Sequence, residues 1–151
     1  MASDPLPSLK VLREGSSTRI TAGRLNFLFP DTEAGEISDA YLRLMLETER
    51  RFTPRWKAFA GVSIGDAAFL EILQEITLHW MYFYALHQLP LQIHEADWDH
   101  PQTRRILQAG VRRALPGDAE AQARLSAHLM GLSVAEYLKW REVDDAFVSM
   151  W

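Results

Sequence analysis

The strongest structural signal in the chain is the stretch Ser63 to Leu89, SIGDAAFLEILQEITLHWMYFYALHQL. In its first half, apolar residues recur at helical spacing from Phe69 to Ile76, with carboxylates and amides opposite them. From Ile76 to His94 there is no Asp, Glu, Lys or Arg, so the second half is apolar on nearly every side. A helix that is apolar all round is covered all round by neighbouring elements. We therefore expect a buried central helix over residues 63–89.

This expectation can be checked at single side chains of the second half. It predicts that six of them are covered: Trp80, Phe83 and His87 on the core face, and Leu78, Met81 and Tyr82 on the other face. If the second set were exposed, that face would be the binding interface, because soluble monomers rarely show a large contiguous apolar patch.

The flanking segments predict further helices and a small sheet. Residues 8–14 and 18–29 alternate apolar and polar side chains around a Gly15-Ser16-Ser17 turn, which predicts a β-hairpin. Helices are predicted over residues 31–52 and 100–115, from about 116–118 to 130, and over 134–148. The fold class is therefore mainly α, with about five helices packed around helix 63–89 and an N-terminal hairpin. Residues 1–8 are expected to be a flexible tail and 9–151 a single globular domain.

Local signals predict where these helices begin and end. Thr53-Pro54 should stop helix 31–52, because proline lacks an N–H and its ring clashes with the preceding turn. Two pairs have the spacing of a capping box: Asp99 with Gln102, and Ser133 with Glu136. The last helix is expected to bury four side chains: Tyr137, Trp140, Val143 and Phe147.

Composition excludes several classes of protein. The net charge of −4 argues against nucleic acid and anionic membranes, which attract basic surfaces. With no cysteine, disulfides and thiolate chemistry are excluded, and the cytoplasm is the expected compartment. The N-terminus lacks the basic and apolar regions of a signal peptide. The clean apolar part of residues 76–94 is shorter than the roughly 18 residues of a membrane span, so no membrane association is expected.

Histidines suggest a metal site, and their spacing limits it. His79 and His87 lie eight residues apart, about 12 Å along a helix, so they cannot share one ion. In the loop of residues 94–100, HEADWDH, the side chains of His94, Asp97 (or Glu95) and His100 could converge on a divalent ion with nitrogen and oxygen ligands. The alternative is that Asp99 caps the next helix. The spacing matches no metal motif, so no cofactor is expected and a divalent metal is the alternative.

Arginine and tryptophan are the candidate protein-binding residues. Arg105 and Arg112 are seven residues apart and nearly in line on one helix, which suits an acidic surface of a partner protein. The alternative is that they are solvated and paired with nearby carboxylates. Trp151 either docks into the core or anchors a partner, since Trp is favoured at interface hot spots.

Residues 119–145 have the spacing of a helix-turn-helix pair. The second helix, VAEYLKWREVDD, carries two basic and four acidic residues, and DNA is a polyanion. The spacing therefore indicates packing of the two helices more than DNA recognition.

No phosphate-binding loop, dinucleotide fingerprint or nucleophile elbow is present in the sequence. The sequence therefore predicts a small cytoplasmic protein-binding module of the immunity, antitoxin or adaptor type, with a homo-oligomer left open. The alternatives are a metal- or ligand-binding protein using residues 94–100, and a DNA-binding regulator using residues 119–145.

Overall fold

The structure is a computed structural model that describes residues 10–23, 25–87 and 98–149. The mainly helical fold class is confirmed, since 68% of the described residues lie in five helices beside one small antiparallel sheet. The strands are β1 (Lys10–Glu14), β2 (Ser17–Ala22) and β3 (Leu25–Phe29). The helices are α1 (Ala34–Ala58), α2 (Asp66–Leu86), α3 (Pro101–Ala114), α4 (Ala119–Met130) and α5 (Val134–Ser149).

Backbone contacts divide the described chain into two compact units. The first is formed by the described residues of Met1–Glu49 and Leu70–Ala96, and the second by those of Arg50–Phe69 and Asp97–Trp151. The sheet and most of α2 belong to the first unit, and α3, α4 and α5 to the second. The predicted tail of residues 1–8 lies outside the described residues, and the single domain over 9–151 stays a prediction.

The sheet has the strand order β1, β2, β3 and is antiparallel throughout. Each connection is two residues long and contains a glycine at positive φ, 63° for Gly15 and 58° for Gly23. Positive φ is what two-residue hairpin turns require. The predicted second strand, 18–29, is therefore two strands, because Gly23 reverses the chain in its middle.

Buried threonines fix α1 against α2 inside the first unit. The hydroxyls of Thr48 and Thr77 lie 3.0 Å apart, and either one can donate to the other. Each also lies within hydrogen-bond distance of the carbonyl four residues earlier, that of Leu44 for Thr48 and that of Leu73 for Thr77. Two polar groups are thus satisfied in an apolar setting, where an unmade hydrogen bond costs about 1–3 kcal/mol. The core around them consists of aliphatic and aromatic side chains: Ile20, Phe29, Ile37, Leu44, Leu73 and Ile76.

The predicted burial of the second half of α2 is confirmed at three of six positions. Leu78, Met81 and Trp80 are buried. The prediction is wrong for Phe83, which is 39% exposed, and for His87, which is exposed; Tyr82 is half-buried. The sheet covers α2 through contacts to Tyr82, and no described element of the first unit covers the side of Phe83 to the same extent. The second half of α2 is apolar on nearly every side, yet part of its surface at Phe83 is exposed to solvent.

The predicted stop at Pro54 is wrong, because α1 continues to Ala58. A proline inside a helix costs roughly 3 kcal/mol. Contacts of the turn that follows offset this cost. The Trp56 ring stacks on Phe69 at 4.2 Å, and the Arg55 guanidinium donates to the Leu129 carbonyl at 2.9 Å.

The predicted cap of α3 is also wrong. The N-cap is His100, whose Nδ1 accepts from the Gln102 N–H at 3.0 Å. Asp99 pairs instead with Arg51, at 3.2 Å between Nη2 and Oδ1. An imidazole in the neutral state can accept through one ring nitrogen, so it performs the task expected of the carboxylate.

The cap of α5 is confirmed as a capping box. The Glu136 N–H donates to Ser133 Oγ at 3.1 Å, and the Ser133 N–H donates to Glu136 Oε1 at 2.9 Å. Gly131, at φ 75°, ends α4 two residues before this box. The turn between α4 and α5 is therefore determined by residues that are close together in the sequence.

The predicted burial of α5 is confirmed for Tyr137 and wrong for Val143 and Phe147, which are 63% and 53% exposed. Trp140 is half-buried. The Tyr137 hydroxyl donates to Gln108 Oε1, and the guanidinium of Arg104 lies over the Trp140 ring. Because α5 packs through one narrow face, apolar residues elsewhere on it remain in solvent.

Ser133→Ala should lower the free energy of unfolding by about 1 kcal/mol, because the Glu136 N–H loses its partner. Hydrogen bonds from the backbone N–H and the side chain of Ser133 lower the pKa of Glu136. The stabilisation from this carboxylate is therefore present above its unfolded pKa and is lost as the pH falls through the lower folded pKa. Urea denaturation at pH 7 and pH 2 measures both effects. Glu136→Gln should therefore lower the free energy of unfolding at pH 7 and have less effect at pH 2. An equal loss at both pH values would contradict this account.

Candidate functional site

An open cleft of about 400 Å³ lies in the first unit, between β3 and the second half of α2. Its volume falls within the roughly 300–1,000 Å³ of binding sites for small molecules. It is lined by three strand residues and four helix residues: Asn26, Phe27, Leu28, His79, Tyr82, Phe83 and Leu86.

The cleft runs along the outer edge of β3. Successive side chains of a strand point to opposite faces. A cleft that touches the consecutive residues Asn26, Phe27 and Leu28 therefore follows the strand edge and not one face. Among the described strands, β3 ends the sheet on this side. The helix wall uses residues at spacings of three, four and seven, which place its side chains on one side of α2.

Aromatic contacts hold the floor of the cleft in place. The Tyr82 ring lies 5.4 Å from Phe27 and 5.8 Å from Phe29 between ring centroids. Tilted aromatic pairs at these distances contribute about 0.5–1.5 kcal/mol beyond burial. The strand and the helix are thus joined by Tyr82, and packing inside the first unit forms the cleft.

The upper walls of the cleft are apolar and exposed. Phe83 packs edge-on to Trp80 at 5.5 Å and lies 4.4 Å from the ring of His87, yet 39% of it remains in solvent. Leu86 is 56% exposed and Leu28 38% exposed. The protein therefore keeps a fixed apolar surface open at this place.

The polar groups around the cleft are few and are held by neighbours. Arg19 donates to Asn26 Oδ1 at 2.6 Å and to the Glu14 carboxylate at 2.6 Å. The hydrogen bond from Arg19 lowers the pKa of Glu14, and the same bond raises the pKa of Arg19. His79 packs edge-on against Trp80 at 5.6 Å. The arrangement is suited to binding by apolar contact and a few hydrogen bonds.

The predicted metal site is only partly described. His94 and Asp97 lie outside the described residues. His100 uses Nδ1 to cap α3. Within the described ranges, no group of three or more His, Asp or Glu side chains could hold a metal ion. The site at His94, Asp97 and His100 stays a prediction.

The two predicted protein-binding arginines lie in different environments. Arg105 makes two hydrogen bonds to Asp144, Nε to Oδ2 at 3.0 Å and Nη2 to Oδ1 at 2.7 Å. The hydrogen bond to Asp144 raises the pKa of Arg105. Arg112 is exposed on α3. Arg105 thus ties α3 to α5, whereas Arg112 faces solvent. Trp151 lies outside the described residues, and binding of a partner by these three residues stays a prediction.

The helix-turn-helix spacing corresponds to α4, a turn at Gly131 and α5. The exposed charges of α5 include Glu136, Glu142, Asp145 and Lys139. A mostly acidic exposed face repels phosphates. DNA recognition through residues 119–145 therefore gains no support from this face.

Sequence reasoning missed the cleft. It assigned Phe83 to the core and gave the strand residues 26–28 no role. One signal was available: the segment Leu25–Phe29, LNFLF, holds neither a charge nor a proline, although edge strands usually carry such protection.

Tyr82→Ala should lower the free energy of unfolding by about 3 kcal/mol, because it removes the ring that packs on Phe27 and Phe29. Phe83→Ala, one position along, should cost only about 1 kcal/mol, since Phe83 is partly in solvent. Urea denaturation followed by circular dichroism compares the two variants. Equal losses would show that Phe83 belongs to the core.

A double-mutant cycle with Arg105→Ala and Asp144→Ala should give a coupling energy of about 1 kcal/mol, because the pair is bidentate and partly buried. The coupling should shrink in 1 M salt. Arg112→Ala is the matched control on the same helix and should change stability by less than about 0.5 kcal/mol. Additive effects of the two substitutions would argue that the pair does not hold α5.

None of the described helices has the length and apolar character needed to cross a membrane. No protein-family model, no curated protein and no solved structure matches the chain.

Proposed function

We propose that this chain is a protein-binding module that holds an apolar segment of another protein in the cleft between β3 and α2. One observation carries the proposal: Phe83, Leu86 and Leu28 stay exposed around a cleft whose floor is fixed by Tyr82. Large apolar side chains grouped on a surface mark places where a partner binds.

The energetics favour an occupied cleft. Each Å² of apolar surface removed from water stabilises a complex by roughly 25 cal/mol. Because the walls are already held by packing inside the first unit, little ordering is needed on binding, and less of this gain is lost. Aromatic residues in such positions are typical of interface cores.

This mode of action suits proteins that work by contact alone. Immunity proteins, antitoxins and adaptors are the classes that we favour, acting in the cytoplasm, where the absence of cysteine carries no disadvantage. A small apolar ligand is the second candidate, because the cleft has a suitable volume. Ligand sites bury most of the ligand, whereas this cleft is rimmed by exposed side chains, which suits a longer chain better.

Panning of phage-displayed random 12-residue peptides against the protein tests the proposal. Selected peptides, measured by fluorescence polarisation, should bind Phe83→Lys at least tenfold more weakly than wild type, because a charge replaces an apolar contact. Lysine suits the last turn of a helix, so the variant should fold.

The matched control is Val143→Lys, which places the same charge at an exposed valine of α5 in the second unit. Its affinity for the selected peptides should equal that of wild type. Failure to select any peptide, or peptides that bind Phe83→Lys as well as wild type, would refute the cleft as a protein-binding site.

A further inference from the structure

We infer that the occupant of this cleft is an extended segment of a partner protein that joins the sheet as a fourth strand beside β3, with apolar side chains against α2 and a Lys or Arg near Glu75. The inference rests on the proposed function and specifies how the partner is held. Four observations lead to it: the strand register, the composition of the edge, the length of the two walls and their charge.

The register shows which backbone groups face the cleft. Ala22 and Leu25 are partners across a two-residue connection, so they form a hydrogen-bonded pair. Pairs alternate along an antiparallel ladder, so Phe27 and Phe29 also bond to β2. The N–H and C=O groups of the residues between them, Asn26 and Leu28, must then point to the outer edge.

The β1–β2 ladder agrees with this assignment. Glu14 and Ser17 close the other two-residue connection, so alternate β2 residues starting at Ser17 bond to β1. The remaining β2 residues, Thr18, Ile20 and Ala22, are then the ones that bond to β3, as the other register requires. The two outward-facing residues of β3 are also cleft residues. Another extended backbone can form hydrogen bonds with such a row of backbone donors and acceptors.

The two outer strands of the sheet differ in composition. β1, KVLRE, carries three charged residues among five, which hinder pairing with another chain. β3, LNFLF, carries none and no proline. An uncharged, apolar edge strand promotes pairing, so this edge is the one that can accept a strand.

The two walls are of similar length. The rise of β3 from Asn26 to Leu28 is about 7 Å, and the rise of α2 from His79 to Leu86 is about 10 Å. This length accommodates about three residues of an extended chain. Alternate residues of such a segment point to the same side, so apolar side chains in every second position would contact Phe83 and Leu86.

The charge of the walls selects a cationic segment. Neither β3 nor α2 contains Lys or Arg. Glu75 and Glu71 precede His79 by four and eight residues, so they continue the same side of α2 beyond the cleft. Arg19, next to Asn26, is balanced by Glu14. Complementary charge steers a partner toward its site and fixes how it is oriented there. The negative charge of Glu75 and Glu71 is sufficient for this effect, whatever groups they contact.

N-methyl scanning of the selected peptides is the first test. N-methyl groups remove a backbone donor and leave the side chain, so methylation at alternate positions should weaken binding at least tenfold if the peptide forms a strand. Hydrogen exchange measured by NMR on the wild-type complex should show protection of the Asn26 and Leu28 amides. Equal binding of all methylated peptides, with no new protection, would overturn strand addition. If these peptides still failed to bind Phe83→Lys, the cleft would remain a protein-binding site, but without strand addition.

A protein variant provides an independent test. Leu28→Pro removes one outward N–H of β3, a change that edge strands tolerate. It should bind the peptides at least tenfold more weakly than Leu28→Ala, which shortens the same side chain but keeps the N–H, while keeping its circular dichroism spectrum. Val11→Pro is the matched control, because by the same register its N–H faces the outer edge of β1. Equal loss in both variants would overturn the assignment of β3.

The charge and the identity of the occupant have their own readouts. Selected peptides should contain Lys or Arg, and Glu75→Gln should bind them about threefold more weakly at low salt. Neutral or acidic peptides would overturn this part of the inference. Sedimentation of the free protein should show a monomer; a dimer with protected Asn26 and Leu28 amides would mean that a second copy of the chain occupies the edge, against the inference.

Discussion

The contact of the Tyr82 ring with Phe27 and Phe29 is the constraint on which the first unit depends. A sheet of three short strands is stable when its apolar face is covered, for instance by a helix. Tyr82 provides that contact from α2, and its position on the helix determines which side of α2 meets the sheet. Because Phe83 is 100° further around the helix than Tyr82, it is turned away from the sheet and toward the cleft.

In the second unit, long polar side chains that reach across helices add to an apolar core that includes Leu107, Val111 and Leu125. The guanidinium of Arg55 donates to the Leu129 carbonyl, and the ring of His128 hydrogen-bonds to the Arg55 carbonyl at 2.7 Å. Arg55 is half-buried, and this burial lowers the pKa of its guanidinium. A donor that is partly removed from water is stabilised by its acceptor, here the Leu129 carbonyl. These bonds explain how α1 continues past Pro54.

Much of the fold could be predicted from the sequence, and the candidate site could not. Caps such as Ser133 with Glu136 join two residues only three positions apart, so their spacing in the sequence is sufficient to predict them. The cap of α3 was assigned to Asp99, because sequence preference cannot show that Arg51, 48 residues away, pairs with that carboxylate. The cleft was missed for the same reason, since it depends on a strand and a helix that are separated by about fifty residues.

Periodicity and turn residues were enough to predict that α2 is a long apolar helix, that strands precede it and that a turn at Gly15 separates β1 from β2. These features are local, because they follow from side chains within one or two turns of each other. The exposed side of α2 and the position of β3 at the end of the described sheet were determined by the tertiary structure. Hydrophobicity shows how much the burial of a helix surface would stabilise the fold. The number and the size of the neighbouring elements determine which part of that surface is covered.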